Sequence, residues 1–241
     1  MNSVPPPAFQ VLLYYRYAPI ADPAGYCERH RELCAGLGLR GRILIGAEGI
    51  NGTVSGPTPA TEAYMAALSV DPATAGIEFK IDPAEDHVFP KLSVKVRHEI
   101  VTLGLPEEED IDPNQLTGER LSPKEFLAAM EEDDVLLIDG RNDYEARIGH
   151  FRGAICPPIR NFREFPAWLG ENADRLRGRK ILTYCTGGIR CEKLSGYLRR
   201  EGFDQVYQLD GGIVKYGKDP ETQGHGFDGL CYVFDERVAV E

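Results

Sequence analysis

Residues 179–200 read RKILTYCTGGIRCEKLSGYLRR. The run from Lys180 to Cys185 begins basic and turns apolar, as a short buried strand does, and from Glu192 onward the spacing becomes helical. Two cysteines, two glycines and an arginine stand between them. A strand that feeds through a short loop into a helix is the repeating unit of a parallel α/β sheet.

In such a sheet the carboxyl ends of the strands form the binding edge. The helix that follows a strand points its free N–H groups and the positive end of its dipole at that edge. Cys185 occupies this position, with Arg190 close behind it. A thiol placed there is expected to have a lowered pKa, to be largely thiolate near neutral pH and to act as a nucleophile. Gly187 and Gly188 allow the backbone of Thr186, Gly187, Gly188 and Ile189 to turn its amides inward around an anionic sulfur. Cys185 and Arg190 are therefore the candidate catalytic residues, and residues 186–189 the candidate active-loop backbone. A plainer reading has a small cysteine ending a strand and glycines making a turn; it leaves the convergence of helix end, glycines and arginine unexplained. Cys191 suits a thiol that resolves an oxidised Cys185, or a core-facing position in the first helical turn. The second is expected.

Outward from this loop, residues 121–222 alternate helix and strand: SPKEFLAAMEE, VLLID, a helix near 163–176, KILTYC, the helix from Glu192, and VYQL. Upstream, GLPEEEDIDPNQLTGER breaks the pattern with Pro, Gly, Asn and acidic residues, which marks 105–120 as a linker. Residues 1–104 read as strand FQVLLYYRY, a helix to about Leu37, short strands RILIG and GTVSG, a helix near Thr61–Leu68, then strands IEFKI and KLSVKVRHEIV. That order, β-α-β-β-α-β with one strand added, predicts a ferredoxin-like α+β domain with both helices on one face. Residues 223–241 are expected to pack on the body as a C-terminal extension.

The chain has 241 residues, is 42% hydrophobic and carries a net charge of −11. Broad electrostatic adhesion to nucleic acid or anionic membrane is excluded, so any RNA contact is focal. The N-terminal MNSVPPPAFQVLLYY lacks a basic region leading into a long apolar one, and no stretch reaches membrane-span length; a cytoplasmic protein is expected. Six cysteines without Cys-x-x-Cys spacing read as free thiols rather than a disulfide framework or zinc site. His87, His98 and Asp86 have no spacing that singles them out as metal ligands, and no dinucleotide fingerprint occurs, so neither a metal nor a flavin is expected from motifs.

The loop resembles that of rhodanese-type sulfurtransferases. IDGRNDYE is similar to their Asp-x-Arg segment, GHFRGAI to their Gly-His-x-x-Gly-Ala segment, and LDGGI to their closing strand and turn. The resemblance implies a rhodanese-like α/β domain with a central parallel sheet, a Cys185 able to carry sulfur as a persulfide, a sulfur donor protein as partner, and a structural role for Asp139 with Arg141. The Cys-x4-Arg spacing with Tyr184 before it does not suit the Cys-x5-Arg loop of phosphatases. Together GAEGINGTVSG, FPKLSVKVRHEIVTLG, YCTGGIRCEK and CYVFDERVAV resemble the tRNA wobble-uridine 5-hydroxylase (TrhO-type) family from about Val11 to Val240. This implies 5-hydroxylation of the wobble uridine with molecular oxygen as co-substrate, the tRNA anticodon arm as partner, and a need for the rhodanese cysteine. Many members of that family are expected to continue into a cysteine-rich tail, whereas this sequence stops at Glu241.

For RNA contact, strand alternation over KLSVKVRHE puts Lys91, Ser93, Lys95 and Arg97 on one face and Leu92, Val94 and Val96 on the other. Lys91, Lys95 and Arg97 are the candidate phosphate contacts; a solvated strand face is the competing reading. Tyr14, Tyr15 and Tyr17 are expected to serve packing. The alternative function, from the loop alone, is a sulfurtransferase or persulfide carrier.

Overall fold

The computed structural model describes residues 7–240; residues 1–6, on which part of the absence of a basic leader was argued, and Glu241 lie outside the described residues. The chain divides into two compact units between Ile100 and Val101. Among the described residues no helix is long and apolar enough to cross a membrane.

The first unit contains β1 (Phe9–Tyr17), α1 (Pro23–Gly36), β2 (Arg40–Gly46), β3 (Gly49–Pro57), α2 (Thr58–Val70), β4 (Lys80–Ala84) and β5 (Leu92–Val96). Its sheet has the order β4-β1-β3-β2-β5, antiparallel except where β5 joins β2 in parallel. This is the expected ferredoxin-like order with an edge strand added. Period-two alternation along β1 sends Leu12 and Tyr14 into a core with Tyr26, Cys27 and Cys34 of α1 and Tyr64 and Leu68 of α2, so both helices share one face. Asp22 starts α1 by accepting from the Gly25 amide at 2.9 Å, with Pro23 at the first helical position.

Polar groups inside that core satisfy one another. The Tyr14 and Tyr64 hydroxyls are hydrogen-bonded, and His30 Nε2 lies 2.7 Å from the Tyr64 hydroxyl. Burial lowers the His30 pKa to about 4, so the ring stays neutral near neutral pH. Tyr14 thus has the packing role expected of it. Two strands begin or end differently from the sequence reading. IEFKI pairs only from Lys80, because Ile77 and Phe79 pack against the helix-side core before the chain reaches its partner β1. The expected long strand over 91–101 is regular only from Leu92 to Val96, and its alternation fails at Val96, which is 44% exposed at the end of an edge strand.

The second unit contains β6 (Glu119–Leu121), α3 (Pro123–Met130), β7 (Val135–Asp139), α4 (Asp143–Ala146), β8 (Gly149–Phe151), α5 (Phe165–Leu176), β9 (Lys180–Tyr184), α6 (Ile189–Arg200), β10 (Val206–Leu209), α7 (Gly212–Lys218), β11 (Phe227–Gly229), β12 (Cys231–Tyr232) and β13 (Ala239–Val240). Its central sheet is parallel, in the order β6-β10-β9-β7. On β9, Ile181 joins a core with Leu194 and Leu198 of α6, whereas Leu182 and Tyr184 join one with Phe126 of α3 and Tyr216 of α7. Both faces are covered, which is why this strand is apolar without alternation.

Residues 105–120, read from the sequence as a linker, lie within this second unit. Ile111 enters the core beside Leu194, and Asp110 accepts from Lys193 Nζ at 2.9 Å. Thr117 and Arg120 bond Glu192, and the Gly118 amide donates to Ser195 Oγ at 2.7 Å. The acidic composition that suggests a solvated connection instead supplies the partner of a lysine that α6 buries. The 223–241 segment adds β11 to β8 as an antiparallel pair and closes the β12–β13 hairpin, and Phe227, Cys231 and Val240 pack on the core.

Candidate active site

Cys185 follows β9 directly, and Gly188 then turns the chain into α6. Gly188 takes φ of 101°, a conformation that costs a side-chain-bearing residue free energy, and it starts α6 at Ile189, three residues before the helical spacing suggests. Its amide donates to Cys185 Sγ at 3.2 Å. The loop is held from the opposite side by α7. The amides of Ile213 and Val214 donate to the carbonyls of Cys185 and Thr186 at 3.0 and 3.1 Å, so both carbonyls are satisfied by α7. A Cβ on Gly212 would lie 2.6 Å from both carbonyl oxygens, so the glycine at this place in LDGGI is a requirement of close approach.

Cys185 and Cys191 are both wholly buried and hydrogen-bonded to each other. Burial alone raises a thiol pKa. At Cys185 it is outweighed by the hydrogen bond from Cys191, the charge of Arg190 and the amides of Cys191 and Arg190, which bring the value down to about 6. Cys191 moves the other way, because burial and the charge on Cys185 both keep its proton on, so it remains a donor. The Cys191 side chain is buried, as expected, and it also hydrogen-bonds the Cys185 sulfur.

Arg190 is fixed by a residue that the sequence reading did not single out. Its guanidinium makes a two-pronged pair with Glu145, at 2.6 and 2.8 Å, and reaches Thr186 Oγ1 at 3.3 Å. Glu145 is fully buried, and its second role is to accept from the Asn142 amide at 3.0 Å at the start of α4. The Asn-x-x-Glu spacing of a capping box in IDGRNDYE is the signal that points to it, though a helix of one turn gives no periodicity to support that signal. Below the loop, Arg141 pairs with Asp139 through Nε and Nη2 with both side chains fully buried, donates to the Gly149 carbonyl at 2.6 Å, and lies 5.6 Å from the Tyr184 ring. The Tyr184 hydroxyl donates to Asp139 at 2.9 Å. This network fastens the end of β7 to β8 and β9, a positioning role.

Lys91, Lys95 and Arg97 belong to the other unit and are exposed. Only Lys95 lies within β5; Lys91 precedes the strand and Arg97 follows it, its amide extending the ladder to the Ile45 carbonyl at 2.8 Å. Parallel pairing of β5 with β2 places Arg42 opposite Ser93 on the face away from the helices, so Arg42 extends the basic row. Reading each strand alone could not find it. Tyr15 is half-buried with Lys80 Nζ 5.0 Å from its ring. All six cysteines are free thiols, and among the described residues no group of three or more His, Cys, Asp or Glu is placed to hold a metal ion.

Comparison with known proteins covers both units. Residues 9–100 match the UPF0176 acylphosphatase like domain and residues 122–219 the Rhodanese-like domain. A protein of Bacillus licheniformis named tRNA uridine(34) hydroxylase is 57% identical over 232 residues, 96% of this chain and 71% of its own length. One of Bacillus cytotoxicus with the same name is 58% identical over the same shares of both chains. Among solved structures, the rhodanese-like domain of an Anabaena sp. protein aligns with 47% of this chain and 81% of its own, at 20% identity and a TM-score of 0.39.

Proposed function

The chain belongs to the tRNA uridine(34) hydroxylase family, and from that membership we propose that it hydroxylates C5 of the wobble uridine of tRNA, with Cys185 as the reacting residue and molecular oxygen as co-substrate. The observation that carries this reading is the identity of 57% across 96% of the chain, which takes in the first unit as well as the rhodanese-like one. A persulfide carrier would need only the second. The sulfurtransferase alternative is therefore not favoured, and this reading gives no role to a sulfur donor protein. In this reading the protein acts on tRNA in the cytoplasm.

The loop supports a specific use of the sulfur. A thiolate beside a uracil ring can add to C6; a sulfur–C6 bond forms, and the C5–C6 π pair moves towards O4. C5 then has the nucleophilic character that hydroxylation there requires. Molecular oxygen gives one atom to C5 as the hydroxyl and the other leaves as water, taking two electrons and two protons from a soluble donor of the thiol class, and the sulfur leaves again when C5 gives up its proton. Arg190 keeps the sulfur anionic before attack, and Glu145 holds Arg190 in place and charged within the buried loop.

Mass spectrometry of tRNA nucleosides tests the function. Under aeration, cells lacking this gene and any parallel pathway should have unmodified uridine at position 34, and the wild-type gene should restore 5-hydroxyuridine and its derivatives. Unchanged modification in the deletion strain would remove the hydroxylase reading.

Lys91, Lys95 and Arg97 serve in this reading as phosphate contacts for the anticodon arm. Neutralising all three should weaken tRNA binding and reduce the slope of log affinity against log salt by roughly one unit for each phosphate no longer neutralised. On a chain of net charge −11 a local basic row has a large share in steering the approach. Binding titrations at several salt concentrations measure both quantities. Wild-type affinity and slope would make the row a solvated strand face and direct the search to Arg160, Arg163 and the RLRGRK segment.

A further inference from the structure

The 223–241 segment brings aromatic side chains to the Cys185 loop, and neither the fold nor the proposed chemistry uses them. Tyr232 meets Tyr144 of α4 edge-on, with ring centroids 5.4 Å apart. Phe234 meets Tyr232 in the same way at 5.1 Å, and the Arg190 guanidinium lies 5.7 Å from the Phe234 ring. Tyr144 immediately precedes Glu145, the partner of Arg190. The contacts thus run in a closed circuit from Arg190 through Phe234, Tyr232 and Tyr144 back to Glu145.

These rings are not core. Phe234 is 45% exposed and Tyr144 38%, and Leu230 and Val238 on the same segment are exposed too. Each edge-on contact sets the edge of one ring against a face of the other, and Arg190 lies over the Phe234 ring, so it is the exposed remainder of Phe234 that is open to a base. The site is also fixed in place. The Tyr144 hydroxyl accepts from Asn142 Nδ2 at 2.9 Å, and the turn after Phe234 is closed by Arg237 pairing with Asp235 at 2.7 Å and by the Val233 amide donating to the Val238 carbonyl at 2.9 Å. Rings held before a ligand arrives lose little freedom on binding it. Single-stranded RNA loops are recognised chiefly by stacking unpaired bases on such rings, and a phenyl ring accepts any base because it forms no hydrogen bonds.

We propose that Phe234, supported by Tyr232 and Tyr144, is a stacking site for an unpaired nucleobase of the substrate loop, which it holds beside Arg190 and the Cys185 loop. This rests on the reading of tRNA as the substrate and adds where the RNA is gripped. Phe234 gives affinity, while the base that reacts is selected further in.

The test uses the full chain and an anticodon stem-loop with 5-iodouridine at the nucleotide next to the target uridine, because a halogenated base forms a covalent link on irradiation to an aromatic ring stacked on it. The cross-link should map to the peptide bearing Phe234 and Tyr232, or to that bearing Tyr144. Phe234→Ala should raise the dissociation constant of the unmodified stem-loop roughly tenfold or more. Phe234→Trp should restore affinity. Phe234→Leu, which keeps the apolar bulk that holds the hairpin but has no ring, should bind as weakly as the alanine variant, which separates stacking from folding. Wild-type affinity in the leucine variant, or cross-links confined to other peptides, would overturn the proposal while hydroxylation by the unaltered protein kept the function reading intact. If the unaltered protein neither binds nor hydroxylates the stem-loop, the substrate assignment fails and the stacking site fails with it.

Discussion

Cys185→Ser is expected to abolish uridine hydroxylation, lowering the single-turnover rate by at least about a thousandfold, because a serine hydroxyl is not ionised near neutral pH whatever amides surround it. Cys191→Ser should cost only a few-fold. Its hydroxyl still donates to the Cys185 sulfur, so the thiolate keeps most of its support. Cys191→Ala removes the donor, and the Cys185 titration should then move up from about 6. The direction follows from which protonation state the bond favours: a donor to sulfur stabilises the anion, so losing it restores the proton at higher pH. Ultraviolet absorbance of the thiolate, taken as the difference from Cys185→Ser, follows that titration directly. In the unaltered protein the activity should fall as pH drops below about 6 and the sulfur is protonated. Loss of activity as complete in Cys191→Ser as in Cys185→Ser, with both variants folded, would point to chemistry that needs two thiols.

The second large effect is on stability. Arg141→Leu leaves Asp139, fully buried, without its cation. Breaking a buried pair from one side costs about 3 to 5 kcal/mol, which for a unit of this size lowers Tm by roughly 10 to 17 °C. The Gly149 carbonyl also loses a donor. Replacing both members, Asp139→Leu with Arg141→Leu, should recover part of the loss because no uncompensated charge remains. Thermal melting of the three variants checks this. A single variant that melts within a degree or two of the unaltered protein would mean that the pair adds nothing to the fastening of β7, β8 and β9.

Much of this architecture is legible in the residues themselves. The apolar run of β9, the glycines after Cys185 and the spacing to Arg190 identify a strand, a tight loop and a helix end, since each is a local property of neighbouring residues. The alternation of strands and helices likewise distinguishes a ferredoxin-like unit from a parallel one. What the sequence hides depends on contacts between distant residues. Glu145 lies 45 positions from the arginine it holds, and Arg42 joins the basic row only through the pairing of β2 with β5. Phe234 meets Arg190 only because a short hairpin folds back towards α6. The 105–120 segment misleads for a related reason, since a run of acids looks solvated until a buried cation is found opposite it. Val96 departs from its strand pattern because an edge strand that ends has no neighbour to enforce the alternation.

The burial of Lys193 against Asp110 also bears on how this protein can change over generations. Lys193 is wholly covered, and Asp110 supplies its charge partner from 83 residues earlier in the chain. The two ends are unequal: loss of Asp110 takes a carboxylate from a wholly covered ammonium, whereas loss of Lys193 leaves a carboxylate that still reaches water. The acidic stretch before β6 therefore travels with the α/β unit when that unit is recombined into another gene, although composition alone would assign it to neither neighbour.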